Sequence, residues 1–233
     1  MTKHENEQVD QRQLTQISRF VPQLRRTAVI STSTDVLTDI YQEDVNIAVW
    51  QQQLSDDMIL SAQQLVTQFP HLKVVMTVAP ADTYKQLAEH LGLFANNHEI
   101  CLKISLLVDM FCTLFDLKRV GLRLTALETA MCPKFHVDKV PCRLVTTFTG
   151  SATQWLNNNI IDRSKLGAGS LGISDEQSGL YRASSHINQL SVGDVALLKG
   201  DGWFHNEGGG LVHRSPSLKT GEKRLLLTLD FSD

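Results

Sequence analysis

The sequence predicts an α+β protein, a mainly helical N-terminal region over residues 27–118 supporting an antiparallel β sandwich or barrel over 119–233. Three observations carry that expectation. Apolar residues between 98 and 117 recur at three- and four-residue intervals, which places them on one buried stripe of a helix. After Lys118 the period shortens: alternating or apolar runs at 119–130, 143–149, 194–199 and 224–231 are separated by Gly, Pro, Asn and Ser, as in antiparallel β folds. The chain has 233 residues, 42% of them apolar, enough for one substantial core, and no linker-like stretch lies near Lys118. The two regions are therefore expected to form one compact unit.

The elements follow in order. Residues 1–26 are polar, rich in Gln and Arg, and expected to be flexible. Ser55 before Asp56 and Asp57 reads as an N-cap with acids in the first helical turn, and Met58, Leu60, Leu65, Val66 and Phe69 give that helix an apolar side up to Pro70. The β-branched run at 73–79 predicts a buried strand. Asp82 can cap a second helix running to Leu91, which Gly92 can close. In the third helix, over 98–117, Ile100, Ile104, Leu107, Val108, Phe111, Leu114 and Phe115 form the stripe, and Cys101 and Cys112, close to three turns apart, point into the same core. The segment 157–190 is a long Ser-, Gly- and Asn-rich excursion. The Gly-rich piece at 200–210 reads as a loop, and its three glycines at 208–210 lack the Lys-Ser/Thr context of a phosphate loop.

Charge and composition exclude several functions. Between Thr27 and Leu72 there is no Lys or Arg, and six acidic residues give that stretch −6 in a chain of net −3. Such a surface repels phosphates, and no Arg/Lys cluster with interleaved aromatics appears elsewhere, so nucleic acid is not an expected partner. Apolar stretches are interrupted well short of the roughly 20 residues of a bilayer span, and the polar N-terminus is no secretory signal. The expected location is the cytoplasm, where Cys101, Cys112, Cys132 and Cys142 are expected as thiols or ligands rather than disulfides.

Chemistry concentrates around 132–139. On an extended strand the side chains of His136 and Asp138 leave the same face, so both can bind one metal. His213 follows 77 residues after His136. Two His and one carboxylate make the facial triad of non-haem Fe(II) oxygenases, with positions left open for cosubstrate and oxygen. His205 competes as the second His. Arg224 opens a strand in which Arg224, Leu226, Thr228 and Asp230 share one face and Leu225, Leu227, Leu229 and Phe231 the other. An Arg facing a barrel interior needs an anionic partner, and the distal carboxylate of 2-oxoglutarate suits its planar fork. Cys132 and Cys142 flank the His-Val-Asp segment, and either thiolate with His136 and His213 would instead complete a tetrahedral zinc site. Arg143 faces either a substrate carboxylate or solvent. Trp155 and Trp203 either wall the cavity or belong to the core.

The succession of His136-Val137-Asp138, the strand from Arg143, the Gly-Asp-Val run from Gly193, then His213 and Arg224 resembles the core of the Fe(II)/2-oxoglutarate-dependent dioxygenases, prolyl-hydroxylase-like members especially. That resemblance covers about 119–233. It implies a double-stranded β-helix, of the jelly-roll or cupin-like barrel type. Its metal ligands would be His136, Asp138 and His213, its oxoacid clamp Arg224, and its reaction the hydroxylation of an unspecified small-molecule or protein substrate with release of succinate. One departure stands out: the family often has Ser or Thr two residues beyond the Arg, where this chain has Leu226, with Thr228 two further on. A closer resemblance covers most of the chain. The runs Ala48–Ser55, Met131–Asp138, Thr153–Leu156 and Gly193–Gly200 are similar to those of a bacterial family, domain of unknown function family 1826. Members of that family can sit among zinc-homeostasis genes, so the resemblance also implies an alternative: a non-enzymatic zinc-binding protein on the same barrel.

Overall fold

The structure, a computed structural model, describes residues 25–92 and 97–232. The segment expected to be flexible, 1–26, therefore lies almost wholly outside the described residues. The N-terminal half supplies strands β1 (Thr27–Ser31), β2 (Val45–Trp50) and β3 (Lys73–Val78) and helices α1 (Asp56–Gln68), α2 (Pro80–Leu91) and α3 (His98–Phe115). Seven strands follow: β4 (Val120–Leu127), β5 (Cys142–Thr149), β6 (Gln154–Leu156), β7 (Ile187–Gln189), β8 (Val195–Lys199), β9 (Val212–Arg214) and β10 (Arg224–Phe231).

A large sheet runs in the order β1-β2-β8-β5-β10-β4-β3, and a small one in the order β7-β6-β9. Only the β1–β2 pair among these is parallel. A reciprocal backbone pairing of His136 with His213 adds one more rung to the small sheet. From β4 onward the chain therefore alternates between sheets. β4 lies in the large sheet, the His136 segment in the small one, and β5 in the large; β6 and β7 are small, β8 large, β9 small and β10 large. That alternation is the double-stranded β-helix, a barrel of two facing sheets.

The alternation along each strand sorts side chains into three apolar layers. Leu225, Leu227 and Leu229 of β10 and Leu122 and Leu124 of β4 pack with Ile104, Leu107, Val108 and Phe111 of α3, on the outer face of the large sheet. Val145, Ala196, Leu198, Trp155 and Leu211 fill the space between the sheets. Phe135, Leu156, Ile161, Leu180, Tyr181 and Val212 form a third layer, in which the 157–190 excursion covers the outer face of the small sheet. The excursion is held there partly by Arg163, which donates to the Gly210 carbonyl at 2.7 Å.

Several local expectations are corrected. Besides the strand expected at 73–79, the N-terminal region contributes β1 and β2, and β2 inserts beside β8; Val45 to Val49 are all buried, Asn46 included, as in a strand covered on both faces. Asp82 does not cap α2. Ala79 stands at the cap with no side-chain bond, Pro80 opens the helix, and Asp82 lies in the first turn, where its charge complements the helix dipole. α3 stops at Phe115 because Asp116 turns left-handed (φ 53°), and Leu117 N–H closes back on the Cys112 carbonyl. Ser55 does cap α1, accepting from the Met58 N–H at 3.2 Å. Cys101 and Cys112 are buried against the helix-side core. Among the described residues no helix is long and apolar enough to cross a membrane.

Candidate metal centre

Three side chains converge where the small sheet meets the entry to β5. One ligand-type atom from each of His136, Asp138 and His213 lies within 4.8 Å of the others. His136 Nε2 stands 3.8 Å from Asp138 Oδ1, and His213 Nε2 stands 3.4 Å from Asp138 Oδ2. Atoms on one face of a six-coordinate ion with bonds of about 2.1 Å are about 3 Å apart, so a modest contraction closes this set on a metal. The two rings are 4.6 Å apart between centroids, a consequence of the backbone pairing between the two residues.

Backbone carbonyls orient both imidazoles. His136 Nδ1–H donates to the Lys134 carbonyl at 2.9 Å and His213 Nδ1–H to the Leu211 carbonyl at 3.2 Å, which directs both Nε2 atoms toward Asp138 and keeps them available to a metal. Burial, followed by the nearness of His213, lowers the pKa of His136, so its ring is neutral at pH 7, the form that ligates a metal. Burial would raise the Asp138 carboxyl, but its contact with His213 and the fixed charge of the Arg143 guanidinium outweigh it and hold Asp138 at about 2.

Arg143 lines the pocket, but its guanidinium is taken up by two carboxylates of the chain rather than left to a substrate carboxylate or to solvent, the two alternatives its position in the sequence leaves open. Its Nη1 donates to Asp138 Oδ2 at 2.7 Å, while Nε and Nη2 take the two oxygens of Asp230 at 2.7 and 2.9 Å. Arg224 is 1% exposed. It donates through Nη1 to Ser215 Oγ (2.8 Å) and through Nη2 to Thr153 Oγ1 (2.9 Å) and Thr147 Oγ1 (3.2 Å). These hydroxyls, from neighbouring strands and loops, surround the Arg where Leu226 offers none. Among the described residues no carboxylate pairs with Arg224, and its buried Nε has no hydrogen-bond partner. Burial, only partly countered by Glu222, lowers its pKa to about 10. One pocket is lined by His136, His213, Arg143, Arg224, Leu226 and Thr228, with Met131 and Cys132 at its exposed rim.

The alternative zinc ligands do not enter the cluster. Arg143 points into the pocket, so Cys142, one residue earlier on β5, points to the opposite face and packs in the helix-side core. Cys132 lines the pocket, yet its sulfur is not among the converging atoms. His205 is exposed, with φ 59°, and its ring lies tilted against that of Phe204 in the glycine-rich loop. Trp155 lies between the sheets, opposite His213 across the β6–β9 pair, whereas Trp203 packs toward the helices beside Tyr41 and Phe115. A separate cavity of about 290 Å³, between α3 and residues 34–38 on the far face of the large sheet, is lined by no His or Cys.

The glycine-rich loop has a mechanical role. Gly200 N–H donates to the Pro141 carbonyl and Asp201 N–H to the Asp138 carbonyl, both at 2.9 Å. A Cβ on Gly200 would overlap the Val140 carbonyl oxygen and crowd that of Asp138. Both contacts are backbone, so the chain carrying Asp138 would have to move. Gly200→Ala is expected to cost about 1–3 kcal/mol of stability, read from urea unfolding, and to weaken metal binding by displacing Asp138.

Fold and site together define a class: a double-stranded β-helix with a His-X-Asp…His cluster at one end and a buried Arg on the last strand. The family model described as "Protein of unknown function (DUF1826)" matches residues 31–230, and the chain belongs to that family. No curated protein matches it in sequence. Among solved structures it is similar to dioxygenase for auxin oxidation 1 from Arabidopsis thaliana, a 2-oxoglutarate complex, at 9% identity and a TM-score of 0.47 over 88% of this chain and 91% of that one. It is also similar to dioxygenase for auxin oxidation in rice, at 12% identity and a TM-score of 0.46 over 88% and 82%. A third is an oxygenase described as putative from Shewanella oneidensis, at 10% identity and a TM-score of 0.47 over 88% and 89%.

Proposed function

We propose that this protein is an Fe(II)- and 2-oxoglutarate-dependent oxygenase of the hydroxylase type. The observation that supports the reading is the state of Arg224. A buried guanidinium without a carboxylate partner is costly, and this one, with an unpartnered Nε, lines the same pocket as His136 and His213. A small dicarboxylate resolves that cost, and a metal in the His136–Asp138–His213 set gives the other end of the dicarboxylate something to chelate. Fe(II) with 2-oxoglutarate and O2 would supply the oxidising chemistry: the oxoacid would lose CO2 and end as succinate carrying one atom of the O2, and the other oxygen atom would enter a substrate C–H bond.

The chain's own residues bind and orient. His136 and His213 present their Nε2 atoms, Asp138 contributes the single ligand charge, and Arg224 with nearby Thr228 receives the far carboxylate of the oxoacid. Leu226, Val145 and buried Trp155 limit water around these groups. The exposed rim at Met131 and Cys132 is the side from which a substrate approaches.

Metal analysis of protein purified without added metal, joined to a succinate-release assay with Fe(II), ascorbate and 2-oxoglutarate, tests the reading. The expected result is succinate formed in proportion to protein, above the background of a His136→Ala control. One equivalent of zinc with no 2-oxoglutarate binding would overturn it in favour of a non-enzymatic zinc protein of metal homeostasis.

A further inference from the structure

We infer that Arg143 is a positioning residue of the metal centre, forked between Asp230 and Asp138 so that Asp138 offers a metal its Oδ1 atom only. The inference rests on the metal reading of His136, Asp138 and His213.

The geometry begins with the large sheet. Arg143 on β5 and Asp230 on β10 are direct cross-strand partners, so their side chains leave the same face. Asp230 accepts from Nε and Nη2 of Arg143, a two-point contact that sets the plane of the guanidinium. The remaining donor, Nη1, then reaches Asp138 Oδ2 at 2.7 Å. Oδ2 also carries the 3.4 Å contact with His213. Among the described residues no hydrogen bond reaches Oδ1, which faces His136 at 3.8 Å. One carboxylate oxygen is therefore occupied by a fixed cation and the other is left for an ion.

Charge points the same way. Asp138 and Asp230 share one guanidinium, and all three side chains are at least 74% shielded from solvent. Two carboxylates against one Arg leave an excess negative charge beside two imidazoles, which a divalent cation would neutralise. A Lys at 143 would keep the charge, but its single ammonium cannot hold both oxygens of Asp230 and still reach Asp138 in a set plane.

Co(II), a spectroscopic substitute for Fe(II), tests the inference by titration calorimetry and d–d absorption on the full chain. The variants are Arg143→Gln, Arg143→Lys and Asp230→Asn, with unaltered protein and Asp138→Ala as references and near-ultraviolet circular dichroism as the folding check. Arg143→Gln and Asp230→Asn are expected to weaken Co(II) binding about 10–100-fold and to alter the d–d bands, as loss of an orienting partner does. Arg143→Lys is expected to fall between them and the unaltered protein. Should one of the two disruptive variants fail to fold, the other carries the same test. Binding within twofold of the parent with unaltered bands in a folded variant would overturn the inference, and so would an Arg143→Lys protein equal to the parent. If the unaltered protein binds Co(II) no better than Asp138→Ala does, the metal reading fails first and the positioning role falls with it.

Discussion

Alanine at His213 is expected to lower Fe(II) or Co(II) affinity by more than about 100-fold, since loss of a mere orienting partner already costs about 10–100-fold. His136→Ala is expected to do the same. The two variants should part company in stability. His213 is buried on β9 opposite Trp155, whereas the His136 side chain is 34% exposed. The metal-free His213→Ala protein is therefore expected to lose about 1–2 kcal/mol of unfolding free energy, and His136→Ala less than about 1 kcal/mol. Metal content by elemental analysis and urea unfolding of the metal-free proteins read the two effects separately. Unchanged metal content in both variants would remove the metal centre and leave a structural pairing of two His on one sheet.

Arg224→Met is expected to abolish a thermal shift that 2-oxoglutarate produces in the Co(II)-loaded protein. At a ligand concentration of about 100 times its Kd the stabilisation is roughly 2.7 kcal/mol, or about 5–10 °C in Tm for a chain of this size. The same substitution should leave the metal-free protein at least as stable as its parent at pH 7. The sign follows from the lowered pKa. Arg224 is held at about 10, well below the ordinary guanidinium range, so the unfolded chain binds its proton more tightly than the folded one. Below pH 10 the folded parent bears the full cost of the buried charge, and stability is regained only as pH rises above about 10. Methionine removes the charge without leaving a large void, although it takes a donor from Thr147, Thr153 and Ser215. A clear fall in metal-free stability would mean that those hydroxyl bonds, and not an absent dicarboxylate, explain the Arg. A thermal shift that survives would remove Arg224 from the oxoacid site.

Strand β10 shows what sequence pattern alone can reveal. Its strict alternation assigns Leu225, Leu227 and Leu229 to one face and Arg224, Leu226 and Thr228 to the other, and the structure places the first set in the helix-side core and the second in the pocket. The alternation is legible because a strand's period of two is local and the two environments differ sharply in polarity. The two-residue step from His136 to Asp138 is legible for the same reason. Strand β2 is not, because a strand covered on both faces loses its alternation and looks like any apolar run.

Cys142 and Arg143 mark the boundary. In sequence both follow the His136–Asp138 segment closely, and nothing local says which one faces a metal. Register with β10 decides: pairing of Arg143 with Asp230 turns the Arg inward and sends the thiol to the opposite core. The glycine-rich loop is similar. Gly200 signals a special backbone position, but only the approach of residues 138–141 shows that the space is taken by the chain bearing a candidate ligand.

The sequence by itself determined the three helices and the succession of strands after Lys118, and it singled out His136, Asp138, His213 and Arg224 as candidate site residues. Those follow from periodicity and from the cost of turning charged or ligating side chains inward. The tertiary structure decided that the three ligand atoms meet, that Arg143 bridges Asp138 to Asp230, and that Arg224 is ringed by hydroxyls from Thr147, Thr153 and Ser215. These are contacts between strands distant in sequence, and their register is set by which faces the whole sheet buries.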